Sequence, residues 1–488
     1  MTTITRALVL LGLLVGFEAH AQRPAPPRVK EHKFDLESSY IRMPLRSGDE
    51  KYGRIVGEQL KTHVLALTAI ARKNHEAGQR YWGRLPGSSA DAETVQYLAT
   101  KFRALGLRDV HLQPVPLTPQ WIATDWSFTA TRDSRVLNPT SIYPAERSVP
   151  SPPGGLDLDV VWAGAGTALD FAGRDVRGKL VFLHSDPRPN AFQGTARSNN
   201  GLQRAAQAGA AAVLVNVNIP GNISNSFSPA PGIPTFSIGT TDADALKAMM
   251  IEGPVRVALK LTAEDRPGLV SHNVWATIPG TSAEEILVLA HHDGLFEGAF
   301  DNASGVATLL GLAEYFSKVP LAERKRTLRL VATAGQTDGG QGSAAIRRDQ
   351  LIDKVVLVIN SEHTSATQMS WFGASGMFRT TANSSARRWW INGSEALAAL
   401  AFDAYQRFGV AIWDWEMYNG GGIGPFSEMT SLQLLDSPVY HSSSGDRAEI
   451  VPPSGLEAVT RAYAKIIDAS ASLTRAQLQQ PPQTGAPQ

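Results

Sequence analysis

The feature that most constrains this chain is an apolar run at residues 286–291 (ILVLAH) that ends directly in polar residues. The run has the length and composition of a buried strand. His291, His292 and Asp293 stand at its end, and Asp301 follows in a glycine-containing loop before a helical pattern. Ligands bind at the C-terminal ends of strands in open α/β sheets, and imidazole and carboxylate groups bind Zn²⁺. The segment therefore predicts a metal site at one edge of a sheet.

Strand patterns alternate with helical patterns through the second half of the chain. This alternation predicts an α/β fold in which a mostly parallel sheet is flanked by helices. The predicted elements are helices at 57–75, 304–316 and 342–349 and strands at 286–291, 328–334, 355–360 and 432–435.

Two further strand ends supply side chains of the same kind. Glu362 and His363 follow the predicted strand 355–360, and His441 follows an apolar strand end at 437–440. Nitrogen and oxygen ligands without sulfur suit Zn²⁺ or a similar divalent ion.

Each of these residues has a plainer interpretation when it is taken alone. Asp301 is also a good helix N-cap, and His441 is also an ordinary loop histidine. His292 and His363 are expected to have structural or supporting roles. The metal-site prediction therefore depends on the set and on no single member.

Composition excludes several classes of function and suggests a location. A formal net charge of +1 gives no electrostatic reason to expect a nucleic acid or an anionic membrane as partner. The chain has no cysteine, which excludes disulfides and thiolate ligands.

The N-terminal residues predict a signal peptide at 1–21, because Arg6 is followed by the apolar run 7–17 and the small-x-small triplet 19–21. A retained anchor is the alternative. No later segment is long enough to span a membrane, so we expect an exported protein, periplasmic or secreted, in a bacterium.

Residues 157–262 differ in texture from the flanking chain. Short β-patterns alternate there with loops rich in Gly, Pro and Asn, and one helix is predicted, at 200–208. The pieces GRDVRGKLVFLHSD, LQRAAQAGAAAVLVNVN and PGIPTFSIG resemble the protease-associated domain. That resemblance implies a lid or wall beside the substrate and no chemistry of its own, so His184 and Asp186 are given no catalytic role.

Outside the insert, six segments carry a second resemblance. NVWATIPG, LVLAHHD, GAFDNASGVATLL, RTLRLVATAG…GS, NSE and YHSSSGD resemble the zinc aminopeptidase and glutamate-carboxypeptidase superfamily of co-catalytic metallopeptidases. The resemblance implies five ligands for two metal ions and a general-base Glu beside one ligand. It assigns His291 and Glu362 to the first ion, Asp301 to both ions and His441 to the second. Asp293, two residues after His291, is expected to orient that imidazole.

The chain departs from this family in the turn after the second buried strand. The family has Glu-Glu-x-Gly-x-x-Gly-Ser there, and this chain has QTDGGQGS at 336–343. Gln336 therefore occupies the general-base position and Thr337 the position of a ligand of the second ion. A Gln cannot accept a proton from water, and general-base help contributes roughly 10²–10⁴ in rate.

The departure predicts about one zinc ion per chain, with the second position weak or empty. The proton acceptor would then have to be another side chain near the site. The candidates are Asp338, Glu362, His363 and His292, and the sequence does not choose among them.

Two functions follow from these observations. The first is an exported, aminopeptidase-type hydrolase of peptide or small amide substrates with a degenerate metal site. The second is a catalytically inactive pseudopeptidase that binds peptides or a protein partner. The predicted organisation is a signal peptide at 1–21, a linker at 22–48, a peptidase-like domain at 49–156 and 263–476, the protease-associated domain at 157–262 and a disordered tail at 477–488.

Overall fold

The computed structural model describes residues 42–107, 109–187, 194–372, 377–384, 387–436 and 439–479. All of these residues fall in one unit, Asp35–Gln488. The predicted signal peptide, most of the predicted linker and most of the predicted tail lie outside the described residues. Among the helices that are described, none combines the length and the apolar composition needed to cross a membrane.

The described elements are twenty strands and eleven α-helices. The strands are β1 (Gly83–Arg84), β2 (His111–Pro116), β3 (Gln120–Arg132), β4 (Arg135–Leu137), β5 (Tyr143–Pro144), β6 (Leu156–Trp162), β7 (Leu180–Ser185), β8 (Ala212–Val217), β9 (Thr235–Ile238), β10 (Arg256–Arg266), β11 (Val270–Ile278), β12 (Glu285–His291), β13 (Gly294–Leu295), β14 (Thr327–Thr333), β15 (Val355–Ser361), β16 (Thr367–Phe372), β17 (Met377–Ser384), β18 (Arg387–Asn392), β19 (Ile412–Met417) and β20 (Ser431–Leu435). The helices are α1 (Gly57–Glu76), α2 (Ser89–Ala104), α3 (Ala168–Phe171), α4 (Gly194–Ser198), α5 (Gly201–Gln207), α6 (Thr240–Glu252), α7 (Gly305–Ser317), α8 (Gln341–Arg348), α9 (Glu395–Arg407), α10 (Pro453–Ser470) and α11 (Arg475–Leu478).

An eight-stranded sheet, which we call the central sheet, has the order β19-β18-β20-β15-β12-β14-β11-β2. Its middle strands β20, β15, β12 and β14 are parallel to their neighbours within that group. β11 and β2 pair antiparallel at one edge, and β18 is antiparallel to β20. The α/β prediction is confirmed, but the sheet is mixed, and its parallel part is the centre. The antiparallel edge arises because a short turn at 279–284, with no crossover helix, joins β11 to β12.

The strand β12 is buried on both faces, and its side chains alternate between two cores. Ile286, Val288 and Ala290 belong to a core shared with residues of α1, α7 and α10. Leu287 and Leu289 face the other side, where they pack with residues of α8 and of a 3₁₀ helix at Gly421–Phe426. Burial of each larger aliphatic side chain contributes about 1.5–3 kcal/mol. Helices on both faces therefore fix the strand whose end carries His291.

A second eight-stranded sheet, the outer sheet, has the order β4-β3-β10-β6-β7-β8-β9-β5. Its strands run from Gln120 to Arg266, a wider range than the 157–262 predicted for the insert. The prediction of one helix in the insert is wrong, because α6 and two shorter helices, α3 and α4, accompany α5. The pattern of α6 was hard to detect, because Ile251 is 86% exposed while the neighbouring Met249 is buried. The assignment of this sheet to a protease-associated domain stays a prediction.

Candidate metal centre

Three strands of the central sheet and the turn before α7 place the predicted ligands at one edge. His291 is the last residue of β12, and Glu362 directly follows β15, the parallel neighbour of β12. Asp301 lies in a turn, Ala299–Ser304, that leads into α7. His441 lies in the loop after β20. Because parallel strands end at the same edge, side chains far apart in sequence meet there.

Asp301 is at the centre of this group. Its Oδ1 lies 3.2 Å from His291 Nε2 and 2.9 Å from His363 Nε2, and its Oδ2 lies 3.2 Å from His441 Nε2. Glu362 Oε1 lies 3.8 Å from His291 Nε2. The structure thus brings together all four predicted ligands and adds His363, for which the sequence predicted a supporting role.

The backbone around Asp301 is held by a second aspartate, Asp446. One oxygen of Asp446 accepts a hydrogen bond from Phe300 N at 2.7 Å, and the other accepts from Asp301 N at 3.2 Å. Burial raises the pKa of Asp446 well above its usual range, in spite of these two donors. Asp446 therefore fixes the turn that presents Asp301.

The loop that carries His441 is tied to a segment associated with the outer sheet. Ser226 N donates to Ser442 O at 2.8 Å, and Ser444 N donates to Ser224 O at 2.9 Å. His441 Nδ1 lies 3.0 Å from the hydroxyl oxygen of Ser442. This long-range anchoring is a contact that no local sequence pattern predicts.

Asp293 supports His291, as its position two residues away predicts. His291 Nδ1 lies 3.5 Å from Asp293 Oδ1 and 3.2 Å from the carbonyl oxygen of Asp293. The carboxylate of Asp293 accepts hydrogen bonds from Gln336 N at 3.1 Å and Thr337 N at 2.8 Å. It also accepts from the hydroxyl of Thr337 at 2.7 Å. The turn that departs from the family motif thus holds the residue that orients His291.

Glu362 is held in place by donors on one of its oxygens. Its Oε2 accepts from Asn360 Nδ2 and from Gly422 N, each at 2.7 Å. A Cβ at Gly421, whose φ is +68°, would lie 2.7 Å from both carboxylate oxygens, so only glycine fits there. The other oxygen, Oε1, is the one that faces His291 and His363.

Of the proton acceptors considered from sequence, Asp338 points away from the centre. Its carboxylate pairs with Arg147 and accepts hydrogen bonds from Thr118, Gln120 and Gln341. Its side chain is 7% exposed, and that of Arg147 is 51% exposed. These partners make Asp338 a link between the central and outer sheets.

His292 also lies outside the group around Asp301. Its Nε2 lies 3.1 Å from the carbonyl oxygen of His272, and its Nδ1 lies 3.5 Å from Asp91 Oδ1. The expectation that His292 has a structural role agrees with these contacts.

Charge in the centre favours a cation. Burial would raise the pKa of Asp301, but the imidazoles of His363 and His441 hold it well below its usual range. Burial also opposes a charged Asp293, yet His291 lowers its pKa to about 2. Burial would lower the pKa of His291, but Asp293 and Asp301 raise it well above its usual value. The carboxylates are thus ionised, and a bound metal would displace the proton that they draw onto His291.

Two triplets of side chains have ligand atoms within 4.8 Å of one another: His291, Glu362 and His363, and Asp301, His363 and His441. The buried Nε2 atoms of His291 and His363 have no hydrogen-bond partner of good geometry among the described residues. Buried polar atoms are normally satisfied, so two imidazole nitrogens aimed at carboxylates fit a metal. Imidazole and carboxylate are also the ligand types that zinc uses. The ligand roles of the individual residues stay predictions.

The centre opens into a cavity of about 310 Å³. Its wall includes Gln336 and Thr337, and also Glu146, which lies beyond the end of β5 in the outer sheet. Glu146 is a residue that sequence reasoning missed, because its surroundings (YPAERSVP) carry no recognisable motif. The described structure gives its carboxylate no hydrogen bond or ion pair, and burial raises its pKa. A cavity of this size suits a small ligand.

A sheet with a parallel centre, whose strand ends gather histidines and carboxylates around one aspartate, is the arrangement that the resemblance to zinc exopeptidases predicts. Residues 273–467 match the model of Peptidase family M28. This segment contains every predicted ligand, so the match to a family of metallopeptidases covers the whole candidate site.

Similar proteins support the assignment. Carboxypeptidase Q of Bos taurus is 28% identical over 276 residues, which cover 54% of this chain and 57% of the relative. Aminopeptidase YwaD of Bacillus subtilis is 25% identical over 332 residues, 66% of each chain. The chain thus spans little more than half the length of the carboxypeptidase Q that it matches.

Solved structures show the same fold. A Peptidase M28 precursor from Shewanella amazonensis superimposes with a TM-score of 0.66 at 21% identity, covering 89% of this chain and 100% of that one. A zinc aminopeptidase from Bacillus subtilis gives a TM-score of 0.59 at 19% identity, covering 87% and 98%.

Proposed function

We propose that this protein is a metal-dependent peptidase of the aminopeptidase type that hydrolyses peptide or related amide bonds. The observation that carries the proposal is the cluster in which His291 and His441 face Asp301 and Glu362 faces His291, in the lining of one cavity. A binding scaffold without a metal has no physical need for buried imidazole nitrogens that face carboxylates and have no hydrogen-bond partner of good geometry among the described residues. That observation favours hydrolysis over the alternative of an inactive pseudopeptidase.

His291, Asp301, Glu362 and His441 would hold the metal. When bound, zinc supplies Lewis acidity for attack on an amide carbonyl. Asp293 keeps the ring of His291 in position, and Gly422 N and Asn360 keep the carboxylate of Glu362 in position.

The residue that accepts the proton of the attacking water has to replace Gln336. We assign this role to Glu146, because its carboxylate lines the same cavity as Gln336. Its raised pKa brings it closer to neutral pH, which strengthens a general base. The outer sheet would thus contribute a catalytic side chain as well as a wall.

We also propose that the protein is exported, on the basis of the signal-peptide pattern at 1–21. Expression of the full chain in a bacterium, followed by N-terminal sequencing of the extracytoplasmic fraction, should give a mature protein that begins after Ala21. Retention of the whole chain in the cytoplasm would contradict this part of the proposal.

The activity is tested with purified protein loaded with zinc and assayed on aminoacyl anilides and dipeptides. Hydrolysis should occur, should stop after removal of the metal by a chelator and should return with zinc. A zinc-loaded, folded protein that binds these peptides but hydrolyses none of them would favour the pseudopeptidase.

A further inference from the structure

The side chain that the sequence left without a role in metal binding is His363. Its Nε2 lies 2.9 Å from Asp301 Oδ1 and 3.9 Å from Glu362 Oε1. Its ring centroid is 5.3 Å from that of His441. His363 is 3% exposed, and its Nε2 has no hydrogen-bond partner of good geometry among the described residues.

The other ring nitrogen determines which atom is available as a ligand. His363 Nδ1 lies 3.2 Å from the carbonyl oxygen of Asp436. A carbonyl oxygen only accepts, so Nδ1 carries the hydrogen and Nε2 is left to face Asp301. His291 has the same arrangement, with its Nδ1 against the carbonyl oxygen of Asp293. A metal-binding histidine commonly donates its other N–H to a carbonyl in this way.

The backbone also holds His363 in an unusual conformation. Its φ is +50°, in the left-handed region that a histidine seldom adopts. Its backbone N–H donates to Asn302 Oδ1 at 3.0 Å, so the residue after Asp301 fixes the direction of the ring. Unfavourable backbone conformations of this kind persist where the surrounding structure enforces them, and they cluster at functional sites.

We propose that His363 is the third protein ligand of a second metal ion, which it binds together with Asp301 and His441. It would replace the carboxylate that is lost at Thr337, whose hydroxyl is already donated to Asp293. The first ion would keep His291, Asp301 and Glu362. The inference rests on the proposed metal centre, and it changes the expectation from about one zinc ion per chain to about two.

His363 has one competing role. Its Nε2 is also close to the ligand atoms of His291 and Glu362, so it is within reach of the first ion. In that case the chain would bind one ion with two imidazoles, and His441 would have little effect on metal content. The closer approach of the His363 ring to His441 (5.3 Å) than to His291 (6.5 Å) favours the second ion.

The test measures bound zinc in the full chain at a buffered free zinc concentration, together with a thermal unfolding midpoint as a check of folding. The variant is His363→Asn, because Asn tolerates the left-handed backbone while its neutral amide is a poor zinc ligand. The matched control is His292→Gln, which changes a buried histidine outside the group around Asp301. His441→Ala provides a second variant that should remove the same ion.

We expect about two zinc ions in the wild type and in His292→Gln, and about one in His363→Asn and in His441→Ala. Affinity for the lost ion should fall by at least about 10²-fold, because loss of even an outer partner of a ligand costs 10–100-fold. X-ray absorption of the wild type should show three imidazoles shared between two ions. This measurement decides the question even if His363→Asn does not fold.

Two zinc ions in a folded His363→Asn variant would overturn the inference, and so would a single ion in the wild type. Neither result concerns turnover. Conversely, a wild type with two ions and no peptide hydrolysis would contradict the proposed function and leave the role of His363 intact. The two proposals can therefore fail separately.

Discussion

The two strand ends on either side of β12 differ in the side chains that they bring to the metal centre. The turn after β14 contains Gln336 and Thr337, which are uncharged, line the cavity and donate hydrogen bonds to Asp293. The end of β15 contains Glu362 and His363, which both face the metal centre. The number of metal ions that this sheet edge can bind therefore depends on which side chains surround Asp301. A ligand that is lost from one strand end can be replaced by a ligand at the end of the neighbouring strand.

The comparison also gives Thr337 a positive role. The pKa of Asp293 is lowered to about 2, so its carboxylate is ionised, and it accepts three hydrogen bonds from the turn. A carboxylate at 337 would remove the hydroxyl donor and place a second negative charge beside Asp293. The turn after β14 thus supports Asp293, which lies beside His291, while the end of β15 carries two of the proposed metal ligands.

The largest expected effect is at Asp301, which both strand ends depend on. Asp301→Asn should remove most bound zinc and lower kcat/KM by at least about 10³-fold, because each ion loses its shared carboxylate. Metal analysis and peptide assays measure the two effects together. Asp125→Asn, at an exposed carboxylate paired with Arg80, is the control and should change neither. Retention of both ions by Asp301→Asn would contradict the shared role.

The next effect tests the residue that replaces Gln336. Glu146→Gln should lower kcat by about 10²-fold, with KM and zinc content nearly unchanged, because only proton transfer is lost. The rise of kcat with pH through the pKa of Glu146 should also disappear. Glu264→Gln, on the exposed end of β10, is the matched control. A normal rate and pH profile in a folded Glu146→Gln variant would exclude Glu146 as the base.

Restoring the family residue at the turn after β14 sharpens the comparison. Gln336→Glu should raise kcat in the Glu146→Gln background by about 10-fold or more, because a carboxylate returns to the same cavity wall. Steady-state kinetics of the single and double variants measure this rescue. If the double variant stays as slow as Glu146→Gln, the two positions do not serve the same proton.

Much of this molecule could be predicted from the sequence because the signals are local. The predicted strand 286–291 differs from β12 by one residue at its start, and the predicted helix 304–316 differs from α7 by one residue at each end, since long apolar runs and helical periodicity are strong signals. The positions of His291 and Asp301 beside these elements were predictable for the same reason, and the match of residues 273–467 to Peptidase family M28 agrees with the resemblance to a metallopeptidase superfamily.

The parts that could not be predicted depend on contacts between distant segments. Glu146 comes from the outer sheet and reaches the cavity only through tertiary packing. The proposed role of His363 was not predicted because it depends on the carbonyl of Asp436 and on a left-handed backbone, neither of which leaves a sequence motif. The antiparallel edge of the central sheet was missed because pairing of β2 with β11 joins strands separated by the whole outer sheet.

The smallest expected effect, that of Thr337→Val on zinc affinity, distinguishes the supporting role of the turn after β14 from the metal-binding role proposed for the end of β15. Thr337→Val removes one hydrogen bond to Asp293 and keeps the size of the side chain. A bond to a charged acceptor contributes about 1.5–3 kcal/mol, but the two backbone donors to Asp293 remain, so zinc affinity should fall by about 10-fold or less. Thr337→Ser keeps the hydroxyl and is the control, with affinity near that of the wild type. If Thr337→Val instead released one whole zinc ion, as His363→Asn is expected to do, Thr337 would itself be a ligand. Both strand ends would then contribute metal ligands.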